Sequence, residues 1–370
     1  MKTEIPYFSF QKAPKSLIDE WKSVISNVID QGQFIGGETV ELFENEWAET
    51  IGTRYAVGVG NGLDGLAIAL QVLGIGEGKT VAVPAHTFIA SWSAIDIAGA
   101  TPIGLDIDES GLLDLDKLFS LEVIPDAVMP VHLHGAMVDM PRLSQWAKAN
   151  GVKIIEDASQ AHLASTESKY AGAWSDAGVF SLYPSKNLGA IGDGGVINFH
   201  NEKDANLAKS IRSYGSEPGN KYLHQRSGVN SRLDSIQAAV LRVNLRYLSG
   251  WNENRIALGK IYSEKLDERF HILQSEELNS VRHHFPILVS DPVVIGKYLL
   301  ENGIRTERHY PEIAAHAYSR FHNMAQGIFQ SAQKITGHVI SLPISQWHSS
   351  SEIEIVCDTL NKGIDTGKIK

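Results

Sequence analysis

Between residues 55 and 199, short apolar runs alternate with stretches at helical spacing, and that alternation leaves little choice of fold. Residues 55–59, 81–83, 127–131, 153–156, 178–183 and 196–199 have the length and β-branched content of strands. Residues 66–73, 91–98 and 143–150 read as helices between them. Strands joined by helical crossovers build a mostly parallel sheet covered on both faces, and the expected class is therefore α/β. Such sheets take their ligands at the carboxyl ends of the strands, so those ends are where chemistry is to be sought. The longest apolar stretch, residues 80–105, is broken by Pro84, Gly99 and Pro102. It fits a strand, a buried helix and the start of another strand better than a membrane span.

The flanking regions read differently. Leu17, Trp21, Val24, Ile25 and Val28 recur at helical spacing, with Gly32 standing where that helix would stop, and residues 40–47 form a second amphipathic stretch. After about Asp234 come two long helices, 235–248 and 252–266, and then an α+β segment from His271. The expected division is a large α/β unit with an N-terminal helical segment, residues 1–245, and a smaller C-terminal α+β unit, residues 246–370. The net charge of −10 argues against a general nucleic-acid binder, while leaving room for a local basic pocket for a small anion. A lone Cys357 forms no internal disulfide. Charged Lys2, Glu4, Lys12, Lys15, Asp19 and Glu20 leave no apolar run for a signal peptide, so the expected compartment is the cytoplasm. The 14 histidines are not arranged at metal-ligand spacing, and no metal site is expected.

Three motifs carry chemistry. Gly60-Asn61-Gly62-Leu63-Asp64-Gly65 joins a strand to a helix beginning near Leu63, which suits a tight turn or a phosphate held on free helix-end N–H groups. The next strand ends Val83-Pro84-Ala85-His86, without the carboxylate that a dinucleotide fold places there. Asp157, in Glu156-Asp157-Ala158-Ser159-Gln160, lies at a strand end, where a helix cap and a working carboxylate are both open readings. Twenty-nine residues later, Lys186 sits in the uncharged run Ser181-Leu182-Tyr183-Pro184-Ser185-Lys186-Asn187. A lysine in such a loop loses its proton more easily and can attack a carbonyl carbon. Taken together, the three supply what pyridoxal phosphate needs: a lysine for the aldehyde, a carboxylate for the ring nitrogen and a phosphate site at Ser181 and the Gly62 to Asp64 turn. Phe88, at the next strand end, is the aromatic placed to cover the ring.

The chain also resembles a known family, the DegT/DnrJ/EryC1/StrS sugar aminotransferases. The resemblance begins at Gln33-Phe34-Ile35-Gly36-Gly37 and takes in Val57 to Asp64, Pro130-Val131-His132-Leu133-His134-Gly135 and the aspartate and lysine motifs. It continues through Gly228-Val229-Asn230-Ser231-Arg232-Leu233-Asp234 to His309-Tyr310-Pro311 and Ser341-Leu342-Pro343. It implies the pyridoxal-phosphate fold type I, like aspartate aminotransferase. It also implies that Lys186 is the Schiff-base lysine and proton shuttle, that Asp157 keeps the ring nitrogen protonated, and that Gln160 bonds the phenolic oxygen. Ser181 and the backbone of Gly62, Leu63 and Asp64 would bind phosphate. Leu63 departs from the threonine of many members and has only its backbone N–H to give; Ala136 departs from a polar residue common after Gly135. Asn230 would reach across from a second subunit, making a homodimer with shared sites.

The resemblance further implies L-glutamate as amino donor and a nucleotide-linked keto-sugar as acceptor. The forms Asn61-Gly62-Leu63-Asp64 and Val229-Asn230-Ser231-Arg232-Leu233-Asp234 resemble the branch that aminates the C-3 ketone of dTDP-type 3-keto-6-deoxyhexoses. The product would be a 3-amino-3,6-dideoxy sugar nucleotide for surface polysaccharide, such as lipopolysaccharide O-antigen, or for glycoside synthesis. Amination at C-4 is the alternative. A sugar dehydratase or a non-catalytic regulator ranks lower, because dehydratases of the family replace the lysine by histidine and position 186 is lysine. Tyr183, Lys221, Tyr222, His309 and Tyr310 are the expected substrate contacts; for His309 and Tyr310 a packing role is equally open, and Lys221 also reads as a solvated loop charge.

Overall fold

The apolar runs pair into one seven-stranded sheet in the computed structural model, which describes residues 4–217, 220–317, 320 and 329–369. Its strands are β1 (Tyr55–Val59), β2 (Thr80–Pro84), β3 (Thr101–Leu105), β4 (Ala127–Val128), β5 (Lys153–Asp157), β6 (Ala177–Ser181) and β7 (Gly195–Phe199), in the order β1-β7-β6-β5-β4-β2-β3. Only β7 runs antiparallel to its neighbours, β1 and β6; the other pairs are parallel. The expected strand over 127–131 is regular for two residues only. Pro130 has no N–H to give the ladder, and pairing resumes as a single bridge between Val131 and Asp157.

Four helices come before or between the first three strands. They are α1 (Lys15–Gln31), α2 (Glu38–Ile51), α3 (Gly62–Val72) and α4 (Ile89–Ile97). Helix α3 begins ahead of its apolar run because Asn61 caps it, accepting from the Asp64 amide at 2.8 Å. Leu66, Ile68 and Leu70 of α3 are almost fully buried with Val179 of β6 and Ile197 of β7, each such side chain contributing about 1.5–3 kcal/mol. Gly65 makes the contact close, since a Cβ there would come within 2.7 Å of Val179.

Two further helices, α5 (Ser235–Leu245) and α6 (Leu248–Lys265), lead to a smaller layer. There an antiparallel sheet of His271–Ile272, Phe285–Leu288 and Val339–Leu342 packs with α7 (Pro292–Glu301) and α8 (Ser350–Asp365). Leu258, Tyr262, Phe285, Ile340, Ile353 and Cys357 form its buried centre. Side chains cross the 245/246 division in both directions: Ile5 packs into the smaller core, and Phe329, Ala332 and Ile335 pack into the larger one. Among the described residues no helix is long and apolar enough to cross a membrane.

Candidate active site

Two neighbouring carboxylates end β5, and the twofold alternation of a strand sends them to opposite faces. Glu156 is fully buried and accepts from the amides of Gly172 and Trp174, each at 2.9 Å, and from Ser175 Oγ at 2.7 Å. His132 Nδ1 accepts from the Val138 amide at 3.2 Å, so the ring proton lies on Nε2, which meets Glu156 Oε2 at 2.9 Å. Burial raises the Glu156 carboxyl, but His132, Ser175 and Gly172 outweigh it and hold the group below its ordinary value.

Asp157 faces the other way. Its Oδ2 accepts from Ser91 Oγ at 2.8 Å and its Oδ1 from the Ser159 amide at 3.2 Å. Across from it lies the loop that follows β6. The Lys186 amide donates to Tyr183 O at 2.9 Å, and buried Asn187 anchors the turn through Nδ2 to Val281 O at 3.0 Å and to Asn252 Oδ1 at 2.8 Å. Burial lowers the Lys186 ammonium to about 8, while the charge of Asp157 pulls the other way. An amine poised near neutrality therefore shares a cleft with a fixed carboxylate.

The phosphate-sized corner lies where α3 begins. Gly62 lets the helix end press on β6, since a Cβ there would come within 2.9 Å of Ser181 Cβ. The Asp64 amide is already taken by Asn61, and the Asp64 carboxylate accepts from Ser231 Oγ at 2.6 Å and Asn61 Nδ2 at 3.0 Å. The Gly62 and Leu63 amides are thus the first-turn donors left beside the Ser181 hydroxyl. Gln160 is buried, with Oε1 accepting from the His134 amide at 2.7 Å and Nε2 donating to Tyr310 Oη at 3.0 Å.

Tyr310 and Phe88, ring centroids 5.5 Å apart, form an aromatic side to the cleft, and Phe88 is 53% exposed. Behind Tyr310 stands a wall of imidazoles. His86 Nε2 accepts from the Tyr310 amide at 3.1 Å, His134 and His284 approach at 3.2 Å through their Nδ1 atoms, and His309 stacks on His284 at 3.7 Å. Burial pushes His309 down to about 3 and His86 to about 4, and holds His134 and His284 well below the usual range, so all four are neutral at pH 7. This wall was absent from the sequence reading except for His309, because its members come from four separate segments. Ser91 was missed as well; nothing in the sequence sets its hydroxyl apart from Ser93 on the same helix.

The structure brings Lys186, Asp157, Gln160, Ser181, the Gly62 to Asp64 turn, Phe88, His309 and Tyr310 to one side of the sheet. Other expected residues stand apart. Tyr222 is 81% exposed on the hairpin of Ser216–Glu217 and Asn220–His224, Asn230 is exposed where it bridges Ser213, and Tyr183 turns outward. The side chain of Lys221 lies outside the described residues. Among the described residues no cluster of His, Cys, Asp or Glu could hold a metal ion.

Comparison with known proteins gives this geometry a setting. The model of the DegT/DnrJ/EryC1/StrS aminotransferase family matches residues 15–361. The chain is 38% identical over 348 residues to the dTDP-3-amino-3,4,6-trideoxy-alpha-D-glucose transaminase of Streptomyces venezuelae, covering 92% of this chain and 91% of that protein. It is 36% identical over 363 residues to the dTDP-3-amino-3,6-dideoxy-alpha-D-galactopyranose transaminase of Aneurinibacillus thermoaerophilus, covering 97% and 99%. The crystal structure of S. venezuelae DesV in complex with a ketimine intermediate superposes with a TM-score of 0.92 at 36% identity, over 97% of this chain and 98% of that one.

Proposed function

The chain belongs to the DegT/DnrJ/EryC1/StrS aminotransferase family, pyridoxal-phosphate enzymes of fold type I, and on that premise we propose that it moves the amino group of L-glutamate to C-3 of a dTDP-type 3-keto-6-deoxyhexose. The product is then a 3-amino-3,6-dideoxy sugar nucleotide. The observation that carries the chemistry is the meeting of Lys186, lowered to about 8, with the buried carboxylate of Asp157 at the end of β5. The choice of C-3 is supported by two relatives named for 3-amino sugar nucleotides, each matched over more than nine-tenths of its length.

The residues suit the cofactor. Gly62 lets the start of α3 close on Ser181, which sets the Gly62 and Leu63 amides and Ser181 Oγ side by side as donors for a phosphate; the Asp64 carboxylate, held by Ser231 and Asn61, steadies the turn. Pyridoxal phosphate bound there supplies a carbonyl for the amine and a ring that withdraws electrons from the reacting carbon. At pH 7 roughly one Lys186 in ten is free base at a value near 8, so Nζ is able both to take a proton and to return it. Asp157 offers fixed negative charge to a ring nitrogen. Gln160 Nε2 spends one proton on Tyr310 and has a second for the phenolic oxygen. Phe88 covers the ring from the open side. His309 and Tyr310 line the way in for the sugar, and Tyr183 stands exposed at the rim.

In this reading the working unit is a homodimer, with Asn230 of one copy completing the phosphate corner of the other and Lys221 and Tyr222 meeting the nucleotide. Phe34, Ile35, Tyr222, Leu223 and Val229 are exposed apolar side chains on the segments concerned, which supports burial against a second copy. The compartment is the cytoplasm, which a buried, unpaired Cys357 suits. The test is to supply glutamate with matched 3-keto and 4-keto nucleotide sugars and to measure 2-oxoglutarate and the aminated product. Amination of the 4-keto sugar alone overturns the position, and amination of neither overturns the substrate class.

A further inference from the structure

Asp157 is held from outside its own strand. Ser91 Oγ, on α4, lies 2.8 Å from Asp157 Oδ2, and Thr87 Oγ1 lies 3.0 Å from Ser91 Oγ. Ser91 and Thr87 are both buried, at 0% and 2% exposure. A carboxylate only accepts, so the single Ser91 proton points at Asp157 and Thr87 is the donor to Ser91. The direction of both bonds follows from that. The Ser159 amide holds Oδ1 while Ser91 holds Oδ2, which fixes the plane of the carboxylate and leaves each oxygen further lone pairs. A helical serine most often bonds its own helix backbone; this one reaches instead to the end of a different strand.

We propose that Ser91, supported by Thr87, is a positioning residue that sets the orientation and basicity of the Asp157 carboxylate toward the cofactor's ring nitrogen. The inference rests on the reading of Asp157 as the partner of that nitrogen. A hydroxyl donating to the carboxylate stabilises its charge, so the proton between the two groups stays on the ring. Without the hydroxyl, Asp157 becomes more basic and draws that proton toward itself. The positive charge on the ring falls, and the cofactor nitrogen joined to Lys186 then keeps its own proton to higher pH.

The experiment compares cofactor-loaded wild type with Ser91→Ala, Ser91→Thr, Thr87→Val and Asp157→Asn. It reads the pH midpoint of the visible absorbance change together with kcat and the glutamate KM. Ser91→Ala is expected to raise the midpoint by about half a unit and to lower kcat about tenfold with KM changed less than about twofold, the scale of one hydrogen bond to a charged group. Ser91→Thr restores both, and Thr87→Val moves them the same way by less. A purely structural tie between α4 and β5 would lower the melting temperature and leave the midpoint alone. An unmoved midpoint in Ser91→Ala, where Asp157→Asn shifts it, overturns the role of Ser91. An unmoved midpoint in Asp157→Asn overturns instead the reading of Asp157. Should Ser91→Ala fail to load cofactor, Thr87→Val decides: a raised midpoint supports the relay, and an unchanged one overturns it.

Discussion

The floor of the cleft and its rim are built on opposite plans. On the floor, Asp157, Gln160 and Lys186 stand at strand ends or on the loops that leave them, and the side chains of Asp157 and Gln160 are buried and tied on both polar atoms. At the rim, Tyr222, Asn230 and Tyr183 are exposed and lie on a hairpin or loop turned to solvent. The difference separates two tasks. A cofactor is always the same shape, so its site is rigid and prepaid in packing, whereas an entering sugar nucleotide needs surface that a partner or the substrate itself can order.

The largest effect expected on the floor is that of Lys186→Ala. Removing nucleophile and proton carrier together should lower turnover at least about ten-thousand-fold, the upper range for one acid–base group. Borohydride reduction followed by peptide mapping should find the pyridoxyl label at Lys186 in wild type; label on another lysine breaks the assignment. Asp157→Asn should lose on the order of 100-fold or more in kcat while still binding cofactor. A near wild-type rate would mean that electron withdrawal is arranged without a floor carboxylate.

The rim is tested by complementation. Lys186→Ala and Asn230→Asp subunits, each inactive alone, should recover activity when mixed, because a mixed dimer regains one intact site. Activity in a strictly monomeric species by sedimentation would put the whole site within one chain and erase the contrast. The smallest effect concerns stability. Lys186 has a folded value lowered to about 8, below its ordinary 10.5, so at pH 7 its charge is held at a cost. Discounted for solvent at the cleft mouth, cofactor-free Lys186→Met should gain on the order of 1 kcal/mol at pH 7. The unfolded chain binds the extra proton between about 8 and 10.5, so wild type recovers that stability as pH rises through this window, and the gap in melting temperature should narrow from about pH 8 and close only above about pH 10.5.

How far these features were legible depended on sequence distance. The sheet, its parallel sense and the strand-end sites at Asp157, Ser181 and Lys186 were readable because each is announced within a few residues by an apolar run and a break. Strand limits were less so: Pro130 shortens a ladder that apolarity alone would have carried to residue 131. The early start of α3 was announced by the glycine turn and not by the apolar run; Asn61, whose side chain caps from outside that run, is what fixes it. Beyond His309 the histidine wall was not readable, since His134 and His284 meet across 150 residues and only the packing of the smaller layer brings them together. Ser91 was hidden for the same reason, 66 residues from the carboxylate it touches.

The paired acids at the end of β5 also limit what the gene can tolerate. Glu156 is locked by four donors on one face and Asp157 is presented on the other, so the roles of two chemically similar residues are set by parity alone. Deleting one codon between Lys153 and Ile155 would keep every acid in the sequence yet turn the longer side chain toward the ring and leave the inner pocket, with its four waiting donors, short by a methylene. Exchanging the two residues would do the same without any change in length. This strand should therefore drift freely in which β-branched residue it carries and hardly at all in its count.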